Sequence, residues 1–270
     1  MEKKLVIVRG GGDLATGTIH RLWSAGFPVL VLETAHPAAI RRQVSISEAI
    51  YDGETCVEDM KGVRIHSWSE AYDILNAGNV AVLSDPKGEA IEKLSPAVVV
   101  DAILAKKNLG THKGMAPLTV ALGPGFEAGK DVDIVIETMR GHNLGRVIRS
   151  GSAIPNTGKP AKVGGYDKER VIYSKEAGRF HNIRKIGDVV ESGEEIAQIE
   201  KSDGSICSVK ASIPGILRGL LREGYIVSER FKVADIDPRI DELKNCFTIS
   251  DKARCIAGSV LEVVVSDGIF

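Results

Sequence analysis

The chain has little excess charge of either sign. Its 35 Lys and Arg stand against 36 Asp and Glu, for a formal net charge of -1. A broad nucleic-acid footprint needs a basic surplus, so that class of partner is set aside. No run approaches the roughly 18 consecutive apolar residues of a membrane-spanning helix. Met1-Glu2-Lys3-Lys4 leads into a stretch too short for the core of a signal peptide, so the expectation is a cytoplasmic protein without a membrane partner. Cysteine is sparse as well: Cys56, Cys207, Cys246 and Cys255 are far apart and form no C-x-x-C or Cys/His ligand spacing. That speaks against a disulfide framework and a structural zinc, and for four reduced thiols. No metal ligands are expected.

Glycine, by contrast, is plentiful, at 29 of 270 residues against only six Phe, two Trp and five Tyr. Ordinary usage is about 7%. With no collagen-like period, the surplus must serve turns, close backbone approaches or phosphate loops. Its first concentration is Gly10-Gly-Gly-Asp-Leu-Ala-Thr-Gly17, between the apolar run Leu5-Val-Ile-Val-Arg9 and an amphipathic stretch carrying Ile19, Leu22 and Trp23. Gly26 closes that helix and Pro28-Val-Leu-Val-Leu-Glu33 follows as a second buried strand. Strand, glycine loop, helix and strand make the unit whose right-handed crossover builds a parallel sheet.

Within the loop, Gly10-x-Gly12-x-x-Ala15 matches the G-x-G-x-x-A form of the dinucleotide fingerprint. Gly10 serves the tight turn, Gly12 the approach of a pyrophosphate and Ala15 close helix packing, while the helix N-terminus faces the anion. Glu33 lies about 20 residues on, where a carboxylate accepts a ribose hydroxyl. Gly11, Asp13, Thr16 and Gly17 complete the expected cofactor loop. Val80-Ala-Val-Leu83 and Ala97-Val-Val-Val-Asp101 are further buried strands. Asp85 and Asp101 follow strand ends, where they serve as ligand groups or as caps. Ser67 to Gly78 reads as a helix with Ser67 or Ser69 as N-cap and Gly78 as stop. Asp52 to Met60 is too polar for core.

A second glycine concentration surrounds Leu118-Thr-Val-Ala-Leu122 and Val132-Asp-Ile-Val-Ile-Glu137. Gly129-Lys130 is not a Walker A loop, because Pro124 stands at its first glycine and Asp131 at its Ser/Thr. Arg140-Gly-His-Asn-Leu-Gly-Arg146 gathers two guanidinium groups and an imidazole in one short loop. Arg140, His142 and Arg146 are therefore expected anion or cofactor contacts, the alternative being a salt-bridged hairpin involving Glu137.

From Val171 the period changes to short strands with evenly spaced turns. Gly187-Asp188-x-Val190-x-x-Gly193-Glu194-x-Ile196, followed by Pro214-Gly215-x-Leu217, resembles the biotinyl/lipoyl barrel-sandwich hybrid. Lys201 precedes the Ser202-Asp-Gly-Ser205 tip outside any modification motif, so no covalent biotin or lipoate is expected. The expected fold is α/β: a Rossmann-like parallel-sheet domain over residues 1–168, then a barrel-sandwich-hybrid β module over 169–270 whose last segment, helix or strand, returns to the core.

Val8-Arg-Gly-Gly-Gly-Asp-Leu-Ala-Thr-Gly17, Ala121-Leu-Gly-Pro-Gly-Phe-x-Ala-Gly-x-Asp131 and Ile136-Glu-Thr-x-Arg-Gly-His-x-Leu-Gly-Arg146, with Pro155-Asn-Thr-Gly158 and Asp235-Ile-Asp-Pro-Arg239, resemble the YqeB-type accessory proteins of selenium-dependent molybdenum hydroxylases. The resemblance implies a maturation factor for a xanthine- or purine-hydroxylase-type client, with a molybdopterin-type cofactor or a nucleotide at the glycine loop. It supplies no catalytic residue, and whether a reaction is catalysed stays open. The alternatives are an NAD(P)-dependent oxidoreductase of a small substrate and a non-catalytic docking scaffold. The oligomeric state is open too, a homo-oligomer included.

Overall fold

The computed structural model describes residues 4–158 and 163–269, so the reading of Met1 to Lys3 lies outside the described residues. The chain divides into two units, one formed by residues 1–37, 45–157 and 249–270 and the other by 38–44 and 158–248. The segment after residue 248 thus belongs with the first unit.

In the first unit the strands are β1 (Val6–Arg9), β2 (Val29–Glu33), β3 (Glu54–Val57), β4 (Met60–Ile65), β5 (Val80–Ser84), β6 (Val98–Asp101), β7 (Leu118–Leu122), β8 (Glu127–Ala128), β9 (Ile134–Ile136), β10 (Val147–Ile148) and β11 (Gly151–Ser152). The helices are α1 (Asp13–Ser24), α2 (Ala49–Asp52), α3 (Ala71–Asn76), α4 (Glu89–Leu94) and α5 (Asp251–Ser266). Nine strands form one sheet in the order β10-β9-β7-β6-β1-β2-β5-β4-β3. Its apolar runs lie at the centre because both faces there are covered: every residue of β1, β6 and β7 is buried. β1 pairs in parallel with β2 and β6, Val6 lying opposite Val29 and Val98. One face carries a cluster of Ile7, Leu30, Leu75, Ala90, Ile91 and Val99. Elsewhere α5 packs on α1, β7 and β9.

The expected Rossmann-like parallel sheet is corrected to a mixed one. β3 joins β4 antiparallel at one edge and β10 joins β9 antiparallel at the other. The polar stretch from Asp52 to Met60 supplies β3 and the turn into β4. Strands as exposed as β3 cannot sit inside a doubly covered sheet and are confined to its rim. The segment left undecided between helix and strand is α5, capped by the Ser250 side chain, which accepts from the Ala253 N–H.

The second unit contains β12 (Val171–Tyr173), β13 (Gly178–Asn182), β14 (Val189–Val190), β15 (Glu195–Glu200), β16 (Ile206–Lys210), β17 (Gly215–Leu220), β18 (Ile226–Val227) and β19 (Lys232–Asp237). They form two four-stranded antiparallel sheets, β12-β19-β17-β14 and β16-β15-β13-β18, around Phe180, Ile196, Ile199, Leu217, Leu220 and Ile236. The expectation of a biotinyl/lipoyl barrel-sandwich module is corrected to this pair of sheets. The glycine-turn spacing that suggested it fixes where strands end, and says nothing of how sheets close. The Asp235-Ile-Asp-Pro-Arg239 motif has a structural task here. Asp235 accepts from Arg170 and Arg218, and Asp237 accepts from both Arg239 Nε (2.9 Å) and its terminal nitrogen (2.7 Å).

His181 on β13 lies between Glu223 (Nδ1 to Oε1, 2.7 Å) and Glu200 (Nε2 to Oε2, 3.2 Å). The hydrogen bond to Glu223, then that to Glu200, raises its pKa above the ordinary histidine value. A raised pKa contributes stability that is complete below about pH 6.5 and lost as pH rises through the folded-state value. Urea unfolding followed from about pH 5 to about pH 9 should show that decline for the parent chain, with a flatter profile for His181→Gln. Parallel profiles would remove His181 from the account.

Candidate functional site at the carboxyl ends of the parallel strands

In open α/β sheets, ligands gather beyond the carboxyl ends of the strands, where the strand order reverses. That point here lies between β1 and β6, since the chain runs outward from β1 to β2 and β5 on one side and from β6 to β7 and β9 on the other. Arg9 ends β1 and Asp101 ends β6, and both are buried. Thr111, fully buried, stands between them. Its hydroxyl accepts from Arg9 Nη1 (2.5 Å) and donates to Asp101 Oδ2 (2.5 Å), while Arg9 Nη2 donates to the Pro86 carbonyl at 3.2 Å. Burial pushes the Asp101 carboxyl up, opposed by Thr111, the Ile103 N–H and the charge of Arg9. Asp85 does something else: it caps α4, accepting from the Gly88 and Ala90 N–H groups.

Directly above Arg9, Gly10 turns the chain at φ +97°, where an added Cβ would lie 2.9 Å from the Ala102 carbonyl oxygen. Only glycine fits that turn. The next amide is already taken, because Gly11 N–H donates to Glu33 Oε2 at 2.8 Å, and the other Glu33 oxygen accepts from Thr34 N–H at 2.8 Å. Burial raises the Glu33 pKa, with the Thr34 and Gly11 amides pulling it down. On the other side Ser47 N–H donates to the Gly11 carbonyl (3.0 Å) and Ile46 N–H to Thr16 Oγ1 (3.0 Å). Gly12 caps α1 and faces open space, and Asp13 Oδ1 accepts from its neighbour Leu14. Ala15 is fully buried. Gly17 lies against α5, where a Cβ would meet that of Ala253 at 2.7 Å.

Of the second motif, Arg140 makes a two-pronged ion pair with Asp251 at the head of α5, both contacts 2.9 Å. His142 and Arg146 are exposed, with no side-chain partner among the described residues. The loop is held to α5 by Ser259 Oγ, which donates to the Gly145 carbonyl at 2.5 Å, and its other end by Glu137, which accepts from Met139 and Ile154 N–H. Sequence reasoning missed Lys252. Its ammonium is held below the usual lysine range by burial first and by Arg140 second, against Asp13, Glu137 and Asp251. One partly buried lysine thus senses both the glycine loop through Asp13 and the second motif through Glu137 and Arg140. A partly buried lysine beside a second cation is a candidate anion contact. Arg9 and Thr111 were also missed. The signal for Arg9 was a lone charge closing an apolar strand.

The expected cofactors, a molybdopterin-type cofactor or NAD(P), are corrected. In the dinucleotide fingerprint the loop amides and the helix N-terminus face the pyrophosphate and the acid lies out on the ribose. In this chain the acid has turned inward: Glu33 fills the Gly11 amide, and residues 46–47 close over the loop.

No family model matches the chain. It is similar to solved structures titled as the ectoine utilization protein EutE (DoeB) from Ruegeria pomeroyi with product bound, at 12% identity and a TM-score of 0.25 over 86% of this chain and 56% of that one. It is also similar to an aspartoacylase family protein from Mesorhizobium loti, at 10% identity and 0.28 over 87% and 85% of the two chains. A succinylglutamate desuccinylase/aspartoacylase from Rhodobacter sphaeroides is similar at 11% identity and 0.27 over 87% and 86%. TM-scores this low carry no argument about this chain. Among curated proteins it is similar to the uncharacterized protein YqeB of Escherichia coli (strain K12), with 46% identity over 262 residues, which is 97% of this chain and 47% of that protein. The chain therefore spans about half the length of that relative.

Proposed function

We propose that the chain is an accessory protein in the maturation of a selenium-dependent molybdenum hydroxylase of the xanthine or purine type, acting in the cytoplasm by docking on that client. The observation that carries this reading is the combination of three motifs, Val8–Gly17, Ala121–Asp131 and Ile136–Arg146, within a chain 46% identical to YqeB. In line with a docking role, the glycine loop is closed by its own Glu33, and Arg140 is engaged by Asp251. His142 and Arg146 are left to solvent as polar contacts for a partner. Among the described residues, no helix is long and apolar enough to cross a membrane.

The test is genetic and biochemical. Deleting the gene in its host should lower the hydroxylase activity and the selenium content of the purified client, and the purified chain should bind that client in size-exclusion chromatography. His142→Ala/Arg146→Ala should weaken the association without lowering the unfolding temperature. A client with full activity and selenium from the deletion strain would overturn the reading.

A further inference from the structure

We propose that unit 1 carries a divalent transition-metal site, of the zinc class, formed by His20, Glu58 and Asp59. His20 lies in the third turn of α1. Glu58 and Asp59 are the two residues of the β3–β4 turn, and Glu58 adopts φ +54°, so the turn presents two carboxylates side by side. Their donor atoms converge: His20 Nε2 is 2.7 Å from Asp59 Oδ1 and 3.8 Å from Glu58 Oε2, and all three lie within 4.8 Å of one another. Ligands at about 2.0–2.2 Å in a tetrahedron stand about 3.3 Å apart, so small side-chain rotations admit the ion.

Groups outside the donor set hold it in place. Glu58 Oε1 accepts from Arg254 Nη2 (2.6 Å) and the Ile249 N–H (2.9 Å), which leaves Oε2 turned toward the histidine. The far ring nitrogen of His20 faces Ser24 Oγ at 3.4 Å. Second partners of this kind fix the tautomer and the orientation of ligating side chains in metal sites. Arg254 therefore orients the carboxylate rather than filling the ion's place. An ion at Nε2 takes the neutral imidazole protonated at Nδ1, toward Ser24 Oγ, and any proton on Nε2 is released to solvent. One imidazole and two carboxylates favour zinc-type ions over Mg2+ and Ca2+, which prefer oxygen alone. The bound ion would tie α1, the β3–β4 turn and, through Arg254, α5 together.

Sequence reasoning could not see this set. A single histidine precedes two adjacent acids by 38 positions, with no motif spacing, in a segment read only as polar. The proposal stands independently of the docking function.

Trp23 supplies the test, its ring centroid lying 5.8 Å from that of His20. Co2+ is titrated into the full chain carrying Cys56→Ser and Cys255→Ser, which removes the two exposed thiols, and Trp68→Phe, which leaves Trp23 as the reporter. Saturable quenching at one Co2+ per chain, with d–d absorption in the visible and displacement by Zn2+, is expected. His20→Gln and Asp59→Asn should each weaken binding by at least about tenfold, and Ser24→Ala by about tenfold or less. Unsaturable quenching overturns the site, and so does parental affinity in either His20→Gln or Asp59→Asn, with far-UV circular dichroism showing that the variants fold.

Discussion

Asp101→Ala should cost about 3–5 kcal/mol, enough to unfold a marginally stable unit. The side chain is 2% exposed, and its Oδ2 is the acceptor for the Thr111 hydroxyl, which in turn receives Arg9. Removing the carboxylate leaves a guanidinium at 3% exposure with its balancing charge gone. A buried charge without its counterpart is far worse than no pair at all. Two controls separate charge from shape. Asp101→Asn keeps an acceptor for Thr111 and should lose less than the alanine variant. The double variant Arg9→Met/Asp101→Leu should recover much of the loss, since an apolar pair of similar volume carries no desolvation penalty. Urea denaturation of the three proteins measures all of this. A loss below about 1 kcal/mol for Asp101→Ala would mean that the Arg9–Thr111–Asp101 chain is not what joins the ends of β1 and β6.

Gly17→Val should be the second severe change, at about 1–3 kcal/mol or more. Its Cβ would stand 2.7 Å from that of Ala253 and 3.0 Å from the Ala253 backbone, so α1 and α5 must separate. A main-chain neighbour cannot rotate away as a flexible side chain can. Gly12→Ala, by comparison, places its Cβ where nothing lies within 4 Å and should cost less than about 1 kcal/mol. Thermal unfolding of the two variants side by side measures how much helix packing demands of Gly17 and how little of Gly12. Equal losses at the two positions would contradict the packing account.

The central strands were legible because burial on both faces leaves a plain signal. Val6 to Val8, Val29 to Leu32 and Val98 to Val100 are apolar without alternation, and they became β1, β2 and β6. The Ser67 to Gly78 reading matched a 3-10 turn over Trp68–Glu70 and α3, with Ser67 as the cap. The edge hairpin formed by β3 and β4 was not legible, since polar strands at a rim look like loop. Nor could the pattern of glycines say which served a ligand and which served packing. Gly10, Gly12 and Gly17 occupy one short motif, yet they answer respectively to a turn, to open space and to a neighbouring helix. Glu33 was placed correctly at the end of β2, but its direction depends on Gly11 and Thr34 amides that no residue count reveals. Arg140 was expected to contact an anion or to pair with Glu137 within its own hairpin, and it pairs instead with Asp251. Its partner, Asp251, lies 111 positions away.

That separation has a consequence for how the molecule is made. Unit 1 is discontinuous, and its last element, α5, emerges from the ribosome only after residues 158–248 have been synthesised. Until then the sheet has its central strands but lacks the helix that covers α1 at Gly17 and receives Arg140. The nascent first unit must wait, with an apolar face uncovered, while another folding unit is completed within it. Contacts of such long sequence separation form late and slowly. For a chain of this design, the interval between the first strand and the last helix is when it is most exposed to aggregation.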